Sequence, residues 1–255
     1  MCSIRKWFLP IVLVCWSMPL MAQVPDSPTI PEVDSLCQVA QNLSDQQQFD
    51  AALEMIVAAA KVAVNQGGEG SAAQAVCRLN EGRIHSAKGD YPEAERCFQE
   101  AKAIAEKVFG KNHRDYAQCL VELGLLYSDL GRLQEAEAVF LEAMPIWEAT
   151  LGKANAEYAW NLNNLGMLYY DLGQYAKAEG LYQESRSIRE ATLGKVHPVY
   201  AGSLINLGIL YWKTGQLDKA ESFYLEAKSI FEEQLHDTNH PRSEEHTSEL
   251  QSLRT

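Results

Sequence analysis

In the segment YAWNLNNLGMLYYDLG, residues 158–173, the apolar side chains Leu162, Leu165, Leu168 and Tyr169 recur at steps of three and four residues. That spacing gathers them on one face of a helix and leaves the polar positions on the others. Gly173 follows, where a helix wants a left-handed residue to stop on. The next segment, QYAKAEGLYQESRSIREATLG, repeats the logic with Tyr175, Ala178, Leu181, Tyr182, Ser185 and Ile188, and Gly194 ends it. The pattern predicts two helices joined by a short turn. No stretch of the chain alternates apolar and polar residues for long enough to suggest a sheet.

The same pattern recurs with a period of 42 residues. Gly89, Gly131, Gly173 and Gly215 share one register and Gly82, Gly124, Gly166 and Gly208 another. Ala52, Ala94, Ala136, Ala178 and Ala220 form a third, and Ile56, Phe98, Phe140, Tyr182 and Tyr224 a fourth. Tyr127, Tyr169 and Tyr211 form a fifth, with His85 in the matching place. Five units therefore run from about residue 32 to 241. The first is degenerate, with Ala40 and Gln47 where the other units have glycine. A period of this length predicts an all-α solenoid of about five antiparallel helix pairs. A helix-interior glycine costs about 1 kcal/mol relative to alanine. Gly82, Gly124, Gly166 and Gly208 incur that cost at one register, so close approach to the alanines at 94, 136, 178 and 220 is the expected compensation.

The motif L–G–x–x–Y, then G–x–Y/L–x–x–A–E, then an aromatic, resembles the tetratricopeptide repeat, whose unit is usually about 34 residues. The longer unit, with NNLGMLYYDLGQYAKAEGLY, ATLGKVHP and VYAGSLINLG, is similar to the kinesin-light-chain-like subclass. The resemblance is strong over residues 67–241 and weak over 32–66. It implies a right-handed superhelix of antiparallel helix pairs that binds peptides or partner proteins. Kinesin light chain itself is not the expected identity, because no heptad coiled coil precedes the repeats.

The two ends read differently. Residues 1–22 have a basic start (Arg5, Lys6), an apolar run from Trp7 to Leu20 and a small residue, Ala22, at the close. That is the layout of a secretory signal peptide, so export to the periplasm or outside the cell is expected, with an uncleaved anchor as the alternative. Residues 23–31 read as a linker. Residues 242–252, RSEEHTSELQS, resemble the translated read-through of a sequencing-library adapter, and 242–255 is read as a non-native tail. If so, the natural protein continues past Pro241. The resemblance then leaves room for a second reading, in which the repeats are the recognition arm of a larger protein with a downstream caspase-like (CHAT) protease or signalling domain.

Charge excludes some partners. The chain carries −12 formally, and the body between its two ends carries −13. Such a surface repels phosphate backbones and anionic membranes, so neither nucleic acid nor membrane is expected as a partner once the signal is removed. Cys37, Cys77, Cys97 and Cys119 show no paired spacing and read as buried thiols, with disulfides the alternative that export would allow. No phosphate loop, HExxH, GxSxG or GxGxxG is present, and no Cys/His set has zinc spacing. The Gly67–Gly68–Glu69–Gly70 cluster reads as a joint between helices. His113, Asn155 and His197 hold one register at helix starts and are expected to cap them. His236 and His240 are placed in the last loop near Asp237. The visible chain is expected to be neither an enzyme nor a cofactor carrier.

In stacked helix pairs the first helix of each unit is expected to line the concave side. Removing the buried positions leaves Asn80 and Arg83 in the second unit and Glu122 and Leu125 in the third. The fourth leaves Trp160, Asn163, Asn164, Met167, Tyr170 and Asp171, and the fifth Asn206, Ile209, Trp212 and Lys213. The resemblance implies that an Asn just before the Leu–Gly pair holds the backbone of a bound peptide. Asn80, Asn164 and Asn206 match that place and Glu122 departs from it. The aromatics Trp160, Tyr170 and Trp212 are of the kind enriched in binding hot spots. The end of the last unit, with Phe223 and Ile230, is a candidate surface for self-association because no capping helix follows.

Overall fold

The computed structural model describes residues 30–237. The signal-peptide reading and the tail reading both fall outside that range. Ten helices follow one another among the described residues: α1 (Pro31–Asp45), α2 (Phe49–Gly67), α3 (Ala72–Lys88), α4 (Tyr91–Phe109), α5 (Arg114–Asp129), α6 (Leu133–Leu151), α7 (Ala156–Asp171), α8 (Tyr175–Leu193), α9 (Pro198–Lys213) and α10 (Leu217–Asp237). Each odd-numbered helix packs on the even-numbered helix after it, and that one packs on the first helix of the next unit. The result is an all-α solenoid of five helix pairs, with the apolar stripe of every helix buried against its neighbours.

The punctuation of the helices follows the register. Ser71 Oγ accepts from the Gln74 amide at 3.4 Å, His113 Nδ1 from Asp115 at 3.2 Å, Asn155 Oδ1 from Glu157 at 2.8 Å and His197 Nδ1 from Val199 at 3.1 Å. These four residues cap α3, α5, α7 and α9, satisfying amides that the helices leave open. The first helices end at Gly89, Gly131, Gly173 and Gly215, all at positive φ between 70° and 85°. The residue after each glycine donates its amide back to the last turn, as Gln174 does to the Tyr169 carbonyl at 2.8 Å. In the first unit Gln47 takes the same place at φ 61°, and Gln48 donates to the Leu43 carbonyl at 2.9 Å. Gly68 stands 42 residues before Gly110 and ends α2 as Gly110 ends α4, so the GGEG cluster is part of the repeat.

The helix-interior glycines meet a different partner from the expected one. A Cβ on Gly82, Gly124, Gly166 or Gly208 would lie 2.5, 2.6, 2.8 or 2.7 Å from a ring carbon of Phe98, Phe140, Tyr182 or Tyr224. The aromatic ring of the second helix lies against the backbone of the first, and the alanines at 94, 136, 178 and 220 are buried beside it without facing the glycine. The first unit differs at both places together, with Ala40 and Ile56 buried in one cluster.

Tyrosine–glutamate bonds tie the helices in register. Tyr169 Oη donates to Glu137 Oε1 of the preceding unit at 2.8 Å, and Tyr211 Oη to Glu179 Oε1 at 2.6 Å. A cation covers each ring of this register: Arg132 over Tyr127 at 4.2 Å, Lys177 over Tyr169 at 4.6 Å and Lys219 over Tyr211 at 4.8 Å. Inside units, Tyr116 donates to Glu142 at 2.7 Å and Tyr200 to Glu226 at 3.0 Å. Burial, and then the Glu137 bond, push the Tyr169 phenol up to about 12; burial and Glu226 do the same for Tyr200.

Cys37, Cys77, Cys97 and Cys119 are buried free thiols. Burial pushes Cys97 and Cys119 up to about 12, which keeps them protonated and unreactive at neutral pH. His236 lies inside α10 and not in a loop, and His240 lies outside the described residues.

Candidate peptide-binding groove

Successive first helices touch one another along the solenoid, and successive second helices do not. The first helices α3, α5, α7 and α9 therefore lie on the inner side. A helix advances about 100° per residue, so Trp160, Asn164, Met167 and Asp171 fall within about 60° of one another on α7. The same stripe carries Asn80 and Arg83 on α3, Gln118, Glu122, Leu125 and Asp129 on α5, and Asn206, Ile209 and Lys213 on α9.

Four of the positions expected to be exposed are buried: Asn80, Glu122 (8% exposed), Asn163 and Asn164 (5% exposed). The reason is the close approach of neighbouring first helices, whose polar side chains bond across the unit boundary. Arg83 Nη2 lies 2.6 Å from Glu122 Oε1 and its Nε donates to the same oxygen at 2.9 Å. Gln118 Nε2 also donates to it, at 2.9 Å, and Arg83 Nη1 donates to Asn80 Oδ1 at 3.3 Å. Asn80 Nδ2 in turn donates to the Val76 carbonyl at 3.0 Å. Two unit boundaries further, Asn206 Nδ2 donates to Asn163 Oδ1 at 2.7 Å. The amide donors of Asn80 and Asn206 are thus held inside the protein. Asn164 differs, because its Nδ2 is buried and has no hydrogen-bond partner.

These bonds divide the inner face. Over units two and three it is polar and self-paired through Arg83, Glu122 and Gln118. Over units four and five the same stripe is apolar and half-buried, with Trp160, Met167 and Ile209 beside Asn164 and Asn206. Tyr170 packs its ring 5.7 Å from that of Tyr175. Its register lies off the stripe, on the side that faces the next unit. Trp212 holds that register in the fifth unit, and with no further unit beside it among the described residues it is 57% exposed. The sequence singles out Trp212 for its aromaticity, but its place is the trailing edge of the groove.

Asp129 and Asp171 occupy one register at the C-terminal end of the stripe, one unit apart, and Lys213 follows in the fifth. Both residues are exposed, and partial desolvation raises their carboxyls, Asp129 to about 6. Asp129 is a position that sequence reasoning missed, although it stands 42 residues before the Asp171 that the stripe includes. Among the described residues, no group of three or more His, Cys, Asp or Glu side chains comes together to hold a metal ion. None of the described helices is long and apolar enough to cross a membrane.

The model of the tetratricopeptide repeat family matches residues 32–106, 79–149, 123–191 and 156–233, most of the chain. The chain belongs to the tetratricopeptide repeat family. Solved structures share its fold at low identity. A putative kinesin light chain from Podosopora anserina with nearly identical TPR-like repeats is 20% identical with a TM-score of 0.65, over 80% of this chain and 97% of that one. BtubC (BKLC) from P. vanneervenii is 21% identical with a TM-score of 0.60, over 83% and 93%. The pilF protein of Pseudomonas aeruginosa is 15% identical with a TM-score of 0.58, over 78% and 77%. No curated protein matches the chain. The tetratricopeptide repeat is in general a scaffold for protein–protein interaction, and that coarse function attaches to the fold.

Proposed function

We propose that this protein binds an extended peptide segment of a partner protein along the inner face of units four and five. The observation that carries the reading is the change in the stripe along the solenoid. At Arg83 and Glu122 the polar groups satisfy each other. At Trp160, Met167 and Ile209 a half-buried apolar strip remains, without such pairing. Apolar side chains on a preformed, rigid concave wall bury ligand surface without ordering the wall first. The signal-like residues 1–22 support a location outside the cytoplasm, which N-terminal sequencing of the mature protein tests.

The binding test is a selection from a random peptide library on the full chain, repeated with Trp160→Ala, Asn164→Ala, Asn206→Ala and Trp212→Ala. Truncating an aromatic anchor is expected to weaken binding by about 2 kcal/mol and an amide by about 1. Circular dichroism on each variant separates lost binding from lost fold. Equal binding by all four variants rules the groove out as the site.

A further inference from the structure

We propose that Cys37 and Cys77 form a disulfide that fastens the first unit to the second, by exchange with a small-molecule disulfide of the glutathione type. Both thiols are free and buried, and both belong to the core cluster shared by units one and two. The repeat register turns them toward each other across that boundary. Position 37 corresponds to Asn163, which accepts from Asn206 of the next unit at 2.7 Å. Position 77 corresponds to Ser203, which accepts from Arg189 of the preceding unit at 2.8 Å. One cysteine therefore looks forward and the other back, on first helices that touch, and the two side chains interact thiol to thiol. The equivalent pairs at the later boundaries are Leu79 with Cys119, Val121 with Asn161 and Asn163 with Ser203. Among the four boundaries only the first opposes two thiols.

The surroundings give the two thiols different roles. The Cys77 thiol and the Asn80 amide support charge on the Cys37 sulfur, and the Arg83 guanidinium adds its field. Against burial and the charge of Asp34, these hold Cys37 below the usual thiol range. The same thiol contact, and then burial, raise Cys77. Cys37 is thus the attacking thiolate and Cys77 the resolving one. After losing its proton, Cys37 Sγ attacks one sulfur of the glutathione disulfide, and the other leaves as a thiolate. Cys77 then gives up its proton, and its Sγ attacks Cys37 Sγ and expels the second glutathione thiolate. The leaving thiolates take up the two protons, so one disulfide is reduced for each one formed. The exchange takes place before α1 docks or while it is lifted. Among the described helices α1 is an end helix, packed on α2 and α3 alone. Closing the bridge encloses residues 37–77 in a covalent loop, which restricts the unfolded chain and the fraying of that end.

The test incubates the reduced full chain with oxidised glutathione at neutral pH, then maps its tryptic peptides without reduction. The native chain should yield one linked species, joining the peptide with Cys37 to the peptide with Cys77. Cys97 and Cys119 should remain open to alkylation once the chain is unfolded. The thermal midpoint should rise by several degrees over that of the reduced chain. Two substitutions taken from the register preserve the packing: Cys37→Val, as at Val121, and Cys77→Ser, as at Ser203. Each should abolish the rise. Cys77→Ser should trap one glutathione on Cys37, and Cys37→Val should leave Cys77 unmodified. A native chain that keeps both thiols, or stops as a mixed disulfide on Cys37, overturns the bridge. A link through any other cysteine overturns the pairing. Glutathione on Cys77 in the Cys37→Val chain overturns the order of attack. An equal rise in either variant overturns the fastening of unit one as its cause.

Discussion

Arg83 of the second unit reaches Glu122 of the third across 2.6 Å, and the two side chains close the inner face between them. The units that follow hold Leu125 and Met167 at the arginine register and Asn164 and Asn206 at the glutamate register. The pair is therefore an exchange of an apolar–amide contact for a charged one. Its worth is coupled, because Glu122 is nearly buried and Arg83 is only partly so.

Arg83→Leu alone should destabilise the protein by about 1–2 kcal/mol, since it leaves a buried carboxylate with Gln118 as its remaining partner. Adding Glu122→Asn, which restores the combination of Leu125 and Asn164, should recover most of the loss. Urea unfolding of the two single variants and the double variant measures the coupling. Additive effects would mean that the pair contributes nothing beyond its separate parts.

Gln47 holds a left-handed backbone, φ 61°, in the place that Gly89, Gly131, Gly173 and Gly215 fill in the other units. A side chain in that conformation costs roughly 1 kcal/mol, and glycine removes the penalty. Gln47→Gly is expected to raise stability by up to about 1 kcal/mol, read as a higher midpoint of thermal unfolding. A lower midpoint would show that the entropy added to the unfolded chain outweighs the strain relieved.

The sequence carries the helix pairs, the caps at His113, Asn155 and His197 and the stops at the glycines, because each is a local event whose partner lies within a few residues. It carries less about contacts between units. Asn164 looks exposed when α7 is read by itself, and only the approach of the neighbouring first helices buries it. The glycines' partners are present in the sequence as the register of Phe98 and Tyr182, but the pattern alone favours apposition of small with small. A helix backbone accepts a flat ring as readily as a methyl group, and rings fill more of the gap. The tyrosine–glutamate bonds were also legible in principle, as two registers set 32 residues apart, Glu137 with Tyr169 and Glu179 with Tyr211. No local rule pointed from one to the other.

The glycine–aromatic contact makes a compensating pair testable. Gly82→Ala should destabilise by about 1–2 kcal/mol. The Cβ would sit 2.5 Å from the Phe98 ring, and that overpacking exceeds the helix propensity gained. Combining it with Phe98→Ile reproduces the pair Ala40 and Ile56 of the first unit. The double variant should be more stable than the sum of the two single effects by about 1 kcal/mol, measured by denaturant titration. If the two effects simply add, the first unit's matched changes are unrelated to packing.

Alkaline pH should open the solenoid through its tyrosines. Burial, and then the glutamate each one bonds, raise Tyr169 and Tyr200 from an ordinary 10.0 to about 12, and burial, then the nearby Tyr170, does so for Tyr224. A raised acid in the folded state means that the neutral phenol is favoured there. Its contribution to stability is fully present below about pH 10, where folded and unfolded chains are both protonated. It is lost as pH climbs from 10 through about 12, because the unfolded chain releases its phenolic protons first. Each phenolate formed in place would also face a carboxylate 2.8 Å away at Glu137 or 3.0 Å away at Glu226. Phenolate absorbance and helical ellipticity should therefore change together in that window, with ionisation lagging behind free tyrosine. Tyr169→Phe should shallow the fall in stability over the same range, while leaving Glu137 to the solvent at the edge of α6. Ionisation of all the tyrosines near pH 10 with ellipticity unchanged would show that the phenols are not held by the fold.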